Sequence, residues 1–141
     1  MGQPVVHFEV IGSDPVGLRE FYGALFGWRF QVGDAATDAV SAPGEYGFVD
    51  GATTEQEGVM GINGGVAGGA GYASRALFYV GVDDVGEALR EARRLGGTVV
   101  LGPEPAEAEP GGLVVGRFVD PEGNVVGVAG VAAKRGEEEP E

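Results

Sequence analysis

The 141-residue chain has no cysteine, one histidine (His7), one tryptophan (Trp28) and two methionines. Without cysteine there are no disulfides, thiolate metal sites or thiol nucleophiles. With one histidine, and Ser13, Ser41 and Ser74 all in loop-like stretches, a Ser–His–acid triad has no evident members. Basic residues are scarce, nine against 22 acidic ones, for a net charge of −13. Such a surface repels phosphate backbones, so no nucleic-acid partner is expected. No apolar run approaches the roughly 20 residues of a membrane span. The opening "MGQPVVHFEV" lacks the basic-then-apolar pattern of a signal peptide. A cytoplasmic protein without membrane partners is the expectation. The length suits one domain, able to bury roughly 70% of its unfolded surface. The end, 132–141, is read as an acidic flexible tail.

Glycine, by contrast, is abundant at 28 residues, without collagen-like periodicity. Part of it falls inside an internal repeat. Shifting "FEVIGSDPVGLREFYGALFGW" (8–28) by 70 residues lays it on "FYVGVDDVGEALREARRLGGT" (78–98). The shift matches Phe8 with Phe78, Val10 with Val80, Asp14 with Asp84, Leu25 with Leu95 and Gly27 with Gly97. It also brings "FVDG" (48–51) onto "FVDP" (118–121). The chain thus reads as two copies of one supersecondary unit.

Each copy opens with a period-two strand. An aspartate then caps a helix, Asp14 before Pro15 in the first copy and Asp83 or Asp84 in the second. The helices carry stripes Leu18, Phe21, Tyr22, Leu25, Phe26 and Val85, Ala88, Leu89, Ala92, Leu95. Gly27 and Gly96–Gly97 end them. Strands come next at 28–32 and 98–101. Hairpins complete each copy, 46–50 with 57–62 and 113–120 with 125–129, the second turned by Asp120-Pro121-Glu122-Gly123. The expected organisation is a domain over 1–131, with module 1 at about 4–62 and module 2 at about 76–131. The Gly-rich stretch 63–75 reads as a flexible connector. The fold class is α+β: two β-α-β-β-β modules forming a curved eight-stranded mixed sheet around a cleft, helices outside.

Paired β-α-β-β-β units ending in "FYGALFGW" and "DPEGN" resemble the glyoxalase, bleomycin-resistance and extradiol dioxygenase superfamily, the vicinal oxygen chelate proteins. The likeness spans 4–131. It implies a divalent metal held by His, Glu and Gln side chains on the first and last strands of each module. Carried over by position, these places are His7, Gly61, Leu77 and Gly127. Only His7 has a donor, whereas a catalytic site needs about three protein ligands. No cofactor is therefore expected, with a divalent metal open by family analogy alone.

The cleft-facing residues by strand alternation and offset are Val5, His7, Glu9 and Ile11, then Leu77, Tyr79 and Gly81. His7 and Glu9 form either an acid/base couple or a mutually satisfied polar pair. Tyr79 is a candidate proton donor or ligand contact, and Tyr46 reads rather as an ordinary strand residue. Arg117 is there either to neutralise an anionic ligand or to pair with a carboxylate. Trp28 reads as a core plug or dimer contact, Asp50 and Asp120 as turn formers, and Glu57 as no ligand. The function expected is binding of a small organic molecule by a protein with a degenerate metal site, lined by His7, Glu9, Leu77, Tyr79, Arg117 and Gly127. The alternatives are a metal-dependent lyase, isomerase or dioxygenase, or a metal-free acid/base enzyme using His7, Glu9 and Tyr79. A homodimer is expected, because sheet edges need cover.

Overall fold

The structure, a computed structural model, describes residues 1–132. The tail expected over 132–141 lies outside the described residues from 133 onward. Contacts divide the chain into two compact units, Val6–Phe78 and Met1–Val5 together with Tyr79 onward. Each is built on the plan the repeat announces, and the class is α+β. Among the described residues no helix is long and apolar enough to cross a membrane.

The first unit runs β1 (Val5–Gly12), α1 (Pro15–Phe26), β2 (Gln31–Gly33), β3 (Tyr46–Val49), a 3-10 turn (Gly51–Thr53), β4 (Glu55–Gln56), β5 (Val59–Met60) and β6 (Asn63–Gly68). Its sheet order is β2-β3-β6-β1. β6 runs parallel to β1 and antiparallel to β3. Asp14 caps α1 through the Gly17 amide, Pro15 takes the first turn, and Gly27 ends the helix at φ 74°. This is the expected signal pair of proline inside the start and glycine past the end. Phe8, Tyr22, Phe26 and Trp28 form one aromatic cluster, with Phe8 and Trp28 centroids 5.1 Å apart.

The second unit runs β7 (Arg75–Gly81), α2 (Val85–Arg94), β8 (Thr98–Glu104), β9 (Leu113–Val119) and β10 (Val125–Val131). The order is β7-β10-β9-β8, with β10 parallel to β7. Asp84 caps α2, and Arg93 and Arg94 sit in its last turn, where a cation favours the helix dipole. Val85, Leu89 and Val128 form one buried core cluster. Leu89 lies flat on Gly116, where a Cβ would collide with it. Asp120 accepts from the amides of Glu122 and Asn124 and from the Asn124 side chain. It is a turn former, as its spacing before a Pro-Glu-Gly run indicates.

The Gly-rich stretch corrects the expected plan. Residues 63–68 are not connector but strand β6, buried from Gly64 to Gly68 and lying between β3 and β1. The hairpin expected to end at 62 is instead a small separate ladder, Glu55 with Met60 and Gln56 with Val59. The glycines have packing reasons. A Cβ on Gly64 would fall inside the Phe8 ring, and one on Gly65 inside the Tyr46 ring. Successive strand residues face opposite sides, so these two glycines admit an aromatic ring on each face of β6. A composition that suggests a linker is here a strand crossed closely by its neighbours.

Candidate functional site

His7 and Glu9 lie two residues apart on β1, hence on one face. Glu9 is only 3% exposed, and a buried carboxylate demands partners. Tyr46, at the start of β3, supplies one by reaching across β6. Its hydroxyl donates to Glu9 Oε2 at 2.8 Å, and His7 Nε2 lies 2.8 Å from the same hydroxyl oxygen. The reach works because the strand between them carries Gly65, paired with Glu9 on one side and Phe48 on the other. A phenol has one proton to give. With that proton directed at Glu9, His7 must donate from Nε2 and keep its lone pair on Nδ1, a tautomer assigned from the network.

Burial holds the His7 imidazole below its ordinary pKa of 6.5, with the Glu9 charge working the other way. The ring is therefore neutral near pH 7. Between the depressed folded value and about 6.5 the unfolded chain binds a proton that the folded chain refuses, so stability falls as pH drops through that window. Above about pH 7 His7 makes no pH-dependent contribution. Melting temperatures of wild type and His7→Gln should run parallel above neutrality, with wild type losing ground on acidification. Relative gain by wild type in acid would contradict the assignment.

The second unit repeats the arrangement with different groups. Tyr79 on β7, 2% exposed, lies against Gly127 on β10, where a Cβ would enter its ring. Arg117 on β9, 5% exposed, donates from Nε to the Tyr79 hydroxyl at 3.1 Å. Gly127 pairs with Tyr79 and with Arg117, as Gly65 pairs with Glu9 and Phe48. In each unit, a tyrosine ring covers a glycine of the strand that ends the module. Leu77 is buried on β7. Trp28 belongs to the aromatic cluster, and Glu57 is at the tip of the β4–β5 turn.

One family position moves. The first-module counterpart of Gly127 is Gly65, not Gly61, because β6 and not β5 pairs with β1. Gly61 is exposed, its amide on the Thr54 hydroxyl. The cause is an insertion: thirteen residues, 50–62, separate β3 from β6, against five, 120–124, between β9 and β10. The offset of 70 residues therefore does not hold beyond β3.

The donor set does not fit the divalent ion that the family resemblance implies. Of His7, Gly65, Leu77 and Gly127, only His7 has a side-chain donor atom. At both glycines the room for a ligand side chain is filled by a tyrosine ring. Among the described residues no group of three His, Cys, Asp or Glu side chains converges as metal ligands would. Tyr46, which the sequence favours as an ordinary strand residue over a cleft contact, is brought together with His7 and Glu9. Its signal was indirect: a polar residue pair on β1 and a glycine on the strand next to the tyrosine's.

The family model described as a glyoxalase-like domain matches residues 8–129. Among solved structures, a variant of methylmalonyl-CoA epimerase from Streptomyces coelicolor, determined with 2-nitronate-propionyl-CoA, superposes with a TM-score of 0.60 at 14% identity, covering 93% of this chain and 99% of that one. A glyoxalase/bleomycin resistance protein/dioxygenase superfamily member from Vibrio splendidus 12B01 does so with a TM-score of 0.51 at 13% identity, covering 92% and 99%. A hypothetical protein from Bacillus halodurans C-125 gives 0.57 at 13%, covering 100% and 99%. Among curated proteins none matches this sequence significantly. The matched span, nearly the whole described fold, and the doubled β-α-β-β-β plan make this chain a member of the glyoxalase-like domain family.

Proposed function

We propose that the protein binds a small organic molecule without a metal ion, using the sheet face that carries His7, Tyr46 and Glu9. The observation that carries this reading is the Tyr46 phenol, held between His7 and Glu9 over Gly65. It takes the volume a metal-binding side chain would need and puts a hydrogen-bonding oxygen there instead. Tyr79 over Gly127, bonded to Arg117, is the equivalent feature of the second module. Phenol and imidazole groups suit a ligand with a carbonyl, carboxylate or amide beside an apolar body. A homodimer acting in the cytoplasm belongs to the same proposal. The Streptomyces coelicolor epimerase shares the fold at 14% identity, and a fold does not carry a substrate with it.

A second reading is proton transfer. A neutral His7 whose Nε2 hydrogen leans on Tyr46, itself leaning on Glu9, is built to accept a proton at Nδ1. The chain of hydrogen bonds to the Glu9 carboxylate would then stabilise the imidazolium, the logic of a histidine oriented by an acid.

His7 is the single imidazole of the chain, so its NMR resonances are an unambiguous probe. A fragment library of small carboxylates, amides and aromatic ketones should contain compounds that shift the His7 ring signals saturably. Those shifts should vanish in Tyr46→Phe while the variant stays folded. A library whose binders leave His7 untouched would overturn the placement of the site. Incubating binders in deuterated buffer separates the two readings, since proton transfer exchanges a carbon-bound hydrogen and binding alone does not.

A further inference from the structure

The eight residues that module 1 has in excess of module 2 make the β4–β5 hairpin, and that hairpin buries almost nothing. Every residue from Glu55 to Asn63 is exposed, Val59 at 72% and Met60 at 63%. Its turn, Glu57 and Gly58 at φ 52° and 87°, has the two left-handed residues of a tight primed turn, although glutamate takes that conformation unwillingly. A two-stranded hairpin is marginal alone in water. This one is nevertheless fixed at its base, by Thr54 on the Gly61 amide and Asn63 on the Gly51 amide. Next to it lies the outer side of α1. Phe26, Trp28 and Val59 line one open concavity, and Phe21, Leu25 and Phe26 are each more than half exposed.

We infer that this surface, the α1 aromatic face with the β4–β5 hairpin, is where a second copy of the chain docks, in a two-fold dimer. Taking roughly 200 Å² for a fully exposed large side chain, Phe21, Leu25, Phe26, Val59, Met60 and Ile62 together leave on the order of 700 Å² per copy. That is more than the roughly 300–600 Å² of a typical monomer's largest patch and most of the roughly 800 Å² each partner buries in a standard dimer. The rim carries both signs of charge, Arg29 after Trp28 and Glu55 and Glu57 on the hairpin, and in the proposed two-fold dimer Arg29 faces the partner's Glu57. A net charge of −13 argues against an anionic lipid surface as the occupant. The inference rests on the homodimer reading for its occupant and is independent of ligand binding.

Sedimentation velocity of the full chain across micromolar concentrations provides the test. Wild type should sediment as a dimer. Leu25→Asp with Met60→Asp should weaken association by about 100-fold or more, with melting temperature and circular dichroism unchanged apart from lost concentration dependence. Arg29→Glu should weaken it too, and adding Glu57→Arg should restore it. A wild-type monomer, whether or not it binds phosphatidylcholine or phosphatidylserine vesicles, overturns both the dimer and the surface. A wild-type dimer indifferent to both sets of variants overturns the surface alone.

Discussion

Gly127→Glu should lower the melting temperature by about 15 °C and create no metal site. Glutamate is among the ligand types that the family resemblance implies for the first and last strands of a module, so the substitution is the obvious attempt to restore one. The Tyr79 ring already occupies the space of the new Cβ, and Tyr79 is fully buried and bonded to Arg117. Pushing the ring aside costs about 1–3 kcal/mol in overpacking and a further ~1.5–3 kcal/mol for the hydrogen bond to a charged group. A total near 4 kcal/mol corresponds to about 15 °C in a chain of this size. Gly33→Glu is the control: a Cβ there meets nothing within 4 Å, and the strand is exposed. It should change stability by less than about 0.5 kcal/mol. In a Tyr79→Ala background the cost of Gly127→Glu should shrink by about 2 kcal/mol, the coupling expected of residues in contact. Additive losses in that cycle would show that ring and glycine are not coupled, and differential scanning calorimetry reads both outcomes.

Tyr46→Phe should cost about 2–3 kcal/mol although only one oxygen is removed. The ring stays over Gly65, so packing is kept. What goes is the donor to Glu9 Oε2 and the acceptor for His7 Nε2, at one stroke. Glu9 is too buried to replace that donor easily with bulk water. Denaturant unfolding should show the loss with an unchanged m-value, as for a pure stability change. The His7 Nε2 proton should exchange faster in the variant. Glu9→Gln should slow nothing and keep part of the chain, since an amide oxygen still accepts from the phenol. Equal stability of Tyr46→Phe and wild type would mean the phenol is not the bridge between the two.

What the residues revealed in advance, and what they hid, divides along physical lines. The two strand-helix openings were legible because caps, stops and apolar stripes are local: Asp14-Pro15 at one end of α1 and Gly27 at the other. The Asp120 turn was legible for the same reason. His7 and Glu9 could be put on one face from alternation alone. β6 could not, because "NGGVAGG" is poor in side chains, and what makes it a strand is Phe8 and Tyr46 lying against its glycines. That is a tertiary reason. The insertion at 50–62 was hidden by the matching "FVDG" and "FVDP", which hold the offset up to the end of β3 and carry no information about the chain beyond it. Moving the strand end from 57–62 to 63–68 moved the family position from Gly61 to Gly65, and with it exposed the role of Tyr46. Outer-helix burial was also overread: Phe21, Leu25 and Phe26 fit the stripe yet stay exposed.

Metal binding by the isolated protein tests the central claim most directly. Protein purified without chelators should be dialysed against manganese, iron(II), cobalt, nickel and zinc in turn. Plasma mass spectrometry should then find no stoichiometric ion, and His7→Ala should leave the traces unchanged. One tightly held ion per chain, lost in His7→Ala, would contradict the claim that tyrosine rings have taken the places of the family's ligands.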